Sequence, residues 1–168
     1  MADEIVNRVA NSKLIVVDLE DYYPKGERTL FDIKDWLYEG LVLRERDFRD
    51  YVNEHDWSQY KDHYVAMTCT SDAIVPAWAF MLLTMHLQPF AKQIVIGSLE
   101  QLETSIFQDV ITNLDISEFI DKPLIIKGCS NKPVPANAYI LLSQKLKPIA
   151  RSIMYGEACS SVPLYKRK

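Results

Sequence analysis

The sequence predicts an α/β protein with a mostly parallel sheet and flanking helices. Three observations lead there. From residue 63 onward, short Val/Ile-rich runs alternate with helical stretches of 10–15 residues, the pattern of βαβ units. Part of that alternation occurs twice, as a duplicated strand–Cys loop–helix unit. No Pro/Gly/Ser-rich linker divides the 168 residues, so a single α/β domain over 1–168 is expected, a length that builds a sizeable core.

The elements follow in order. Residues 3–11 read as a short helix capped by Asp3, and 13–19 (KLIVVDL) as a strand. DYYPKGER is turn-rich, and 29–37 (TLFDIKDWL) partly alternate, so these two runs are expected to form an antiparallel N-terminal hairpin within 1–60. Residues 45–54 have helical spacing, with Phe48, Tyr51 and Val52 on one face. Strands are expected at 64–68, 93–97 and 123–127. Helices are expected at 76–88 and 135–147, each opened by a proline suited to a first turn. A further helix spans 99–113, where Ser98 and Gln101 have the spacing of a capping box.

The repeat is direct. PAWAFMLLTMHLQPFAKQIVIG (76–97) aligns without a gap on PANAYILLSQKLKPIARSIMYG (135–156), with 10 of 22 positions identical. Amphipathic composition accounts for the leucines but not for the paired Pro76/Pro135, Pro89/Pro148 and Gly97/Gly156. The duplicated units run over about 63–98 and 123–157. By the match to 94–97, the second copy ends as a strand or as an extended helix, before a tail at 158–168. The closing YKRK reads as a frayed terminus open to a phosphate or a partner.

The chemistry expected centres on Cys69, Cys129 and Cys159. Each is followed by Ser or Thr, then Ser or Asn, then Val-Pro after a short gap: CTSDAIVP, CSNKPVP and CSSVP. Cys69 and Cys129 follow expected strands and precede helices, the edge at which open parallel sheets bind ligands. Were those strands neighbours at ~4.8 Å, both thiols would reach one ion. Helix N-termini and hydroxyl donors lower a thiol pKa and favour metal ligation or nucleophilicity. Cys69, Cys129 and Cys159 are therefore candidate ligands, with Asp72 or Glu157 as a fourth. Ser71, Ser130 and Ser160 are candidate hydrogen-bond donors to a bound group. A thiolate-rich set favours zinc or an iron–sulfur cluster. Three inert packed thiols are the plainer alternative.

His63 opens the strand that Cys69 ends, His55 closes the preceding helix, and His86 aligns with Lys145 and so is expected to face solvent. None is expected to join the thiols. No GxGxxG, GxxxxGK, GxSxG or HExxH is present, so no nucleotide cofactor is expected. The net charge of -4 argues against a dedicated nucleic-acid binder. No apolar run reaches membrane-spanning length, and the acidic first residues do not resemble a secretory signal. Three widely spaced cysteines fit a reducing cytoplasm.

The stretches GLVLRERDFRDYV, TCTSDAIVPAWA, KGCSNKPVP and MYGEACSSVPLYKR cover much of the chain. Through them the chain resembles a family of uncharacterised bacterial proteins, mainly from Bacteroidetes, catalogued as a domain of unknown function. The resemblance implies a small cytoplasmic protein with iron–sulfur assembly proteins as partners, and it carries over no catalytic residue. Three readings follow: a thiolate metal or iron–sulfur accessory protein, a thiol enzyme with Cys69 or Cys129 as nucleophile, and a binding or assembly module, including a homo-oligomer. For the last, Trp36, Trp57 and Trp78 are candidate anchors.

Overall fold

The structure is a computed structural model and describes residues 14–128, 131–157 and 159–168. The helix expected over 3–11, Cys129 and Ser130 lie outside the described residues. The α/β class with parallel-rich sheets is as the sequence predicts. The chain divides into two compact units: Met1–Tyr23 with Phe107–Lys168, and Pro24–Ile106. The second unit is thus inserted in the sequence of the first.

In chain order the strands are β1 (Ile15–Val17), β2 (Arg28–Asp32), β3 (Tyr64–Thr68), β4 (Gln93–Ile96), β5 (Pro123–Ile126), β6 (Ser152–Glu157) and β7 (Ser160–Lys166). The helices are α1 (Glu45–Glu54), α2 (Ala77–Leu87), α3 (Leu99–Asn113) and α4 (Ala136–Leu146). The inserted unit holds the all-parallel sheet β2-β3-β4. The other unit holds β1-β5-β6-β7, parallel except for β7 against β6. Among the described residues, no helix is long and apolar enough to cross a membrane.

The expected N-terminal hairpin is corrected. The two segments belong to different sheets: β1 pairs parallel with β5, and β2 pairs parallel with β3. The reason is burial of the central strands. Val65, Ala66 and Met67 of β3, and Leu124, Ile125 and Ile126 of β5, are all buried. A strand covered on both faces needs a neighbour at each edge for its backbone groups. Alternation in 29–37 also stops at Asp32: the Ile33 amide bonds the Thr68 carbonyl, and 34–36 is a 3-10 turn.

The repeat is wider than its sequence match. At the same offset of 59 it reaches back to Asp56/Asp115, and 15 of 42 positions are then identical. Asp56 accepts the Ser58 amide at 3.0 Å, and Asp115 accepts the Ser117 amide at 2.9 Å. Asp62 and Asp121 both have positive φ, 63° and 55°. Their amides donate to Phe90 and Ile149 respectively, both at 2.9 Å. Thr84 and Ser143 each bond back to the carbonyl four residues earlier. The same offset pairs Phe48 and Val52 of α1 with Phe107 and Ile111 of α3, all four buried. Each unit packs its own core from these matched positions.

Of the two endings open for the second copy, the strand β6 forms. The tail is not frayed. It is β7, paired from Ser160 to Lys166, and Arg167 donates to the Pro148 and Ile149 carbonyls at 3.3 and 3.0 Å. The Ser98/Gln101 capping box forms in both directions, at 2.8 and 3.2 Å.

Gly156 has φ +119, and a Cβ there would lie 2.6 Å from the Ser160 carbonyl oxygen. The obstacle is the β6–β7 backbone, which has no rotamer to escape through. Gly156→Ala is expected to destabilise by about 1–3 kcal/mol, read as a lower denaturant midpoint. An unchanged midpoint would refute the strain.

Candidate functional site

At the carboxyl edge of β2-β3-β4, Asp32 gathers the loop that follows β3. Its carboxylate accepts the Lys34 amide at 3.0 Å, the Thr70 amide at 3.2 Å and the Thr70 hydroxyl. Burial pushes this carboxyl up, but those hydrogen bonds and the Lys34 charge outweigh it and hold it below its ordinary value. Cys69 is half-buried, with Sγ 3.2 Å from the Ser71 hydroxyl. Asp72 is exposed.

The other unit repeats the device with different chemistry. Asp18 follows β1 and accepts Lys127 Nζ at 2.7 Å and the Glu20 amide at 3.0 Å. Burial raises this carboxyl too, and Lys127, the Glu20 amide and the Lys132 charge bring it below its ordinary value. Asp18 in turn holds the Lys127 ammonium above its own. Glu20 accepts the Asn131 and Lys132 amides, the latter at 3.1 Å. An acidic residue at the end of the first strand (Asp32) or just past it (Asp18) therefore anchors the loop after the second in both units.

The cysteines occupy unlike places. The offset that matches the units pairs Cys69 with Gly128, and Cys129 with Thr70. At Gly128 a Cβ would meet the Tyr155 ring at 3.0–3.2 Å, so an aromatic ring takes the space next to that position. Cys159 is exposed in the β6–β7 turn, and its CSSVP stretch runs into a strand with no helix after it. Glu157 and Ser160 face each other as a pair across that turn. The strands preceding Cys69 and Cys129 lie in different sheets. Among the described residues no group of three or more His, Cys, Asp or Glu is placed to hold a metal ion.

The histidines pack. His63 Nδ1 is 2.9 Å from the Thr29 hydroxyl. His86 is half-buried against the Trp57 ring at 5.4 Å, which corrects its expected solvent-facing position. His55 Nε2 lies 2.9 Å from the Tyr60 hydroxyl among Phe31, Trp36 and Trp57. Burial lowers the His55 pKa, with Asp56 opposing weakly. An imidazole depressed in the folded state binds its proton less readily than in the unfolded chain, where its pKa is about 6.5. Stability is expected to be full above that value and to fall as pH drops through it toward the folded pKa. His55→Gln should flatten this dependence in denaturant midpoints taken across the range; an equally steep profile would assign it elsewhere.

A different feature has the geometry of a binding surface. One side of α2 is core: Ala79, Phe80, Leu83 and Leu87 are buried. The other side is apolar as well. Trp78, Met81, Leu82 and Met85 line a groove of about 390 Å³ with Glu45 and Arg49 of α1. Met81 is 64% and Met85 60% exposed. Arg49 pairs with Glu45 at 2.9 Å, and its guanidinium lies 5.6 Å from the Trp78 ring centre. The matched positions of α4 are Asn137, Ile140, Leu141 and Gln144. Of the three tryptophans, Trp57 is buried and Trp36 half-buried within the aromatic cluster, and only Trp78 lines this groove.

The groove is not legible in the sequence because α2, apolar apart from Thr84 and His86, does not disclose which face is core. The signal available was the replacement of Asn137 and Gln144 by Trp78 and Met85 within one repeat.

Residues 3–167 match the family described as "Protein of unknown function (DUF2480)". The chain belongs to this family. The match spans both units and the α2 groove. No match was found among curated proteins or among solved structures.

Proposed function

We propose that the chain is a binding and assembly module that presents the outer face of α2 to another protein chain. The observation that supports it is the contrast between matched helices. Solvent-facing helix positions ordinarily carry polar groups, as Asn137 and Gln144 do in α4. Where α4 has Gln144, α2 carries Met85, 60% exposed, one turn from Met81; Trp78 is half-buried against Phe48 at the edge of this face, and Ile140 of α4 is exposed as Met81 is. Trp anchors and adaptable Met side chains are the groups that protein interfaces favour. The test is a photo-crosslinking residue introduced in the native host at Met81 or Met85 and, as control, at Gln144. Crosslinks to a protein chain from the first two sites and none from Gln144 are expected. No crosslink from either α2 site would overturn the reading.

A second reading is the thiolate metal or iron–sulfur accessory protein in a reducing cytoplasm, with Cys69, Cys129 and Cys159 as ligands. Its support is the repeated Cys-[Ser/Thr]-[Ser/Asn] pattern and the half-buried Cys69 thiol beside the Ser71 hydroxyl at a strand end. Anaerobic purification without chelators tests it. Stoichiometric zinc, or iron with sulfide, would uphold it, and a metal-free folded protein would remove it.

A further inference from the structure

We propose that the edge where β5 and β6 begin and β7 ends is a docking surface for an acidic segment of another protein. It uses no residue of α2 and does not depend on the docking reading above.

The surface starts in the backbone. Lys122 precedes β5, Arg151 precedes β6, and Arg167 follows β7, which runs antiparallel to β6. The Arg151 amide donates to the Lys122 carbonyl, and the Arg167 amide to the Arg151 carbonyl, both at 2.9 Å. The ladder thus continues one residue outward and sets three basic residues side by side, at strand spacings of about 4.8 Å. Lys166 pairs with Ser152, next to Arg151. Lys147 caps the end of α4, and Arg167 donates to the carbonyls of the two residues after it, Pro148 and Ile149. Five basic residues therefore share one edge in a chain of net charge -4.

Like charges opposite one another in a sheet repel. The row is shorter than or comparable to a Debye length of about 10 Å, so salt does not remove the repulsion. Nor does the edge neutralise itself. Asp121 pairs with Arg167 at 3.3 Å, and among the described residues Lys122, Lys147, Arg151 and Lys166 make no ion pair. The other unit shows that the strands do not require this. Its row ahead of β2, β3 and β4 is Glu27, His63 and Lys92, of mixed charge, with His63 Nε2 3.4 Å from the Glu27 carboxylate. His63 and Lys92 are the matches of Lys122 and Arg151.

Charge complementarity names the occupant. A row of guanidinium and ammonium groups suits carboxylates spaced along an acidic segment. Ile120, 56% exposed, stands two residues before Lys122, and Leu164, 55% exposed, two before Lys166, so aliphatic side chains of that segment also find contacts. A nucleic-acid strand would want aromatic rings for its bases, and Tyr165, beside Lys166, packs on the chain's own core.

The experiment is fluorescence anisotropy of the full chain with a labelled peptide of Glu-Glu-Leu repeats at low ionic strength. Polyuridylate, and vesicles of equal parts phosphatidylserine and phosphatidylcholine, serve as competing anions. Binding of the peptide that weakens with added salt is expected. Lys122→Glu with Arg151→Glu should weaken it at least about tenfold, with circular dichroism confirming the fold. Arg46→Glu with Lys61→Glu makes the same change of net charge elsewhere and should not reach that loss. Arg151→Gln relieves the repulsion and should raise the denaturant midpoint at low salt. No peptide binding, or binding that the two double variants weaken equally, overturns the proposal. Tighter binding of polyuridylate or of the vesicles than of the peptide, lost in K122E/R151E, overturns the acidic-protein occupant. An unchanged or lower midpoint for Arg151→Gln would make the row structural and overturn the proposal as well.

Discussion

Trp57→Ala is expected to destabilise the protein by about 3–5 kcal/mol, the range for emptying a buried aromatic site. Trp57 is buried, and its ring meets Phe31, His55 and His86 at 5.7, 4.8 and 5.4 Å. Its indole N–H donates to the Val52 carbonyl at 2.8 Å, near the end of α1. The substitution thus removes core volume and leaves a helix-terminal carbonyl without its donor. Trp57→Phe separates the two effects: it keeps most of the apolar volume and loses the hydrogen bond, at about 0.5–1.5 kcal/mol for the bond itself. Urea midpoints at fixed pH measure both. A loss below about 1 kcal/mol for the alanine variant would mean that the neighbours close over the site.

The sequence disclosed those features that local chemistry dictates. Ser98 and Gln101 were legible as a capping box because the two partners lie three residues apart. The repeat was legible from Pro76 to Gly97, where side chains meet inside one βαβ unit and identity is high. It faded upstream because the constraint there is on volume and backbone rather than identity. Phe48/Phe107 match, but Val52/Ile111 and Tyr60/Phe119 match only in character. Strand pairing was illegible for a related reason. β1 has three residues and its partner β5 begins more than a hundred residues later, so nothing local distinguishes parallel pairing with β5 from a hairpin with β2. The loop cysteines looked equivalent because their following Ser/Asn/Val-Pro residues align. Their registers differ by one position, and that position decides whether Tyr155 or a thiol occupies the space. The α2 groove was hidden by its own composition: with Trp, Met and Leu on every side, periodicity has no contrast to report.

Lys145→Met should cost about 1.5–3 kcal/mol, the worth of a hydrogen bond made by a charged group, even though Lys145 makes three. Its ammonium donates to the Ile111, Thr112 and Leu114 carbonyls at 2.6, 2.7 and 2.8 Å. These carbonyls close α3, where the last turn lacks intrahelical donors and the helix dipole favours a cation. The Thr112 side is open to water, which recovers part of the loss and keeps the sum well below three full bonds. Faster amide exchange at residues 111–114, with the α1 end unchanged, would locate the effect. The matched end of α1 poses the same problem and meets it otherwise. Val52 stands where Ile111 does, His86 where Lys145 does, and the donor is the indole of Trp57, where the other unit has Ile116. The two solutions exclude each other, because one carbonyl row is filled from one side or the other. Trp57→Ile alone should therefore be strongly destabilising, and adding His86→Lys should recover part of that loss by supplying the cation. His86→Lys in the presence of Trp57 should bring no gain. A double variant no more stable than Trp57→Ile would show that the ends of α1 and α3, though matched in sequence position, are not interchangeable in chemistry.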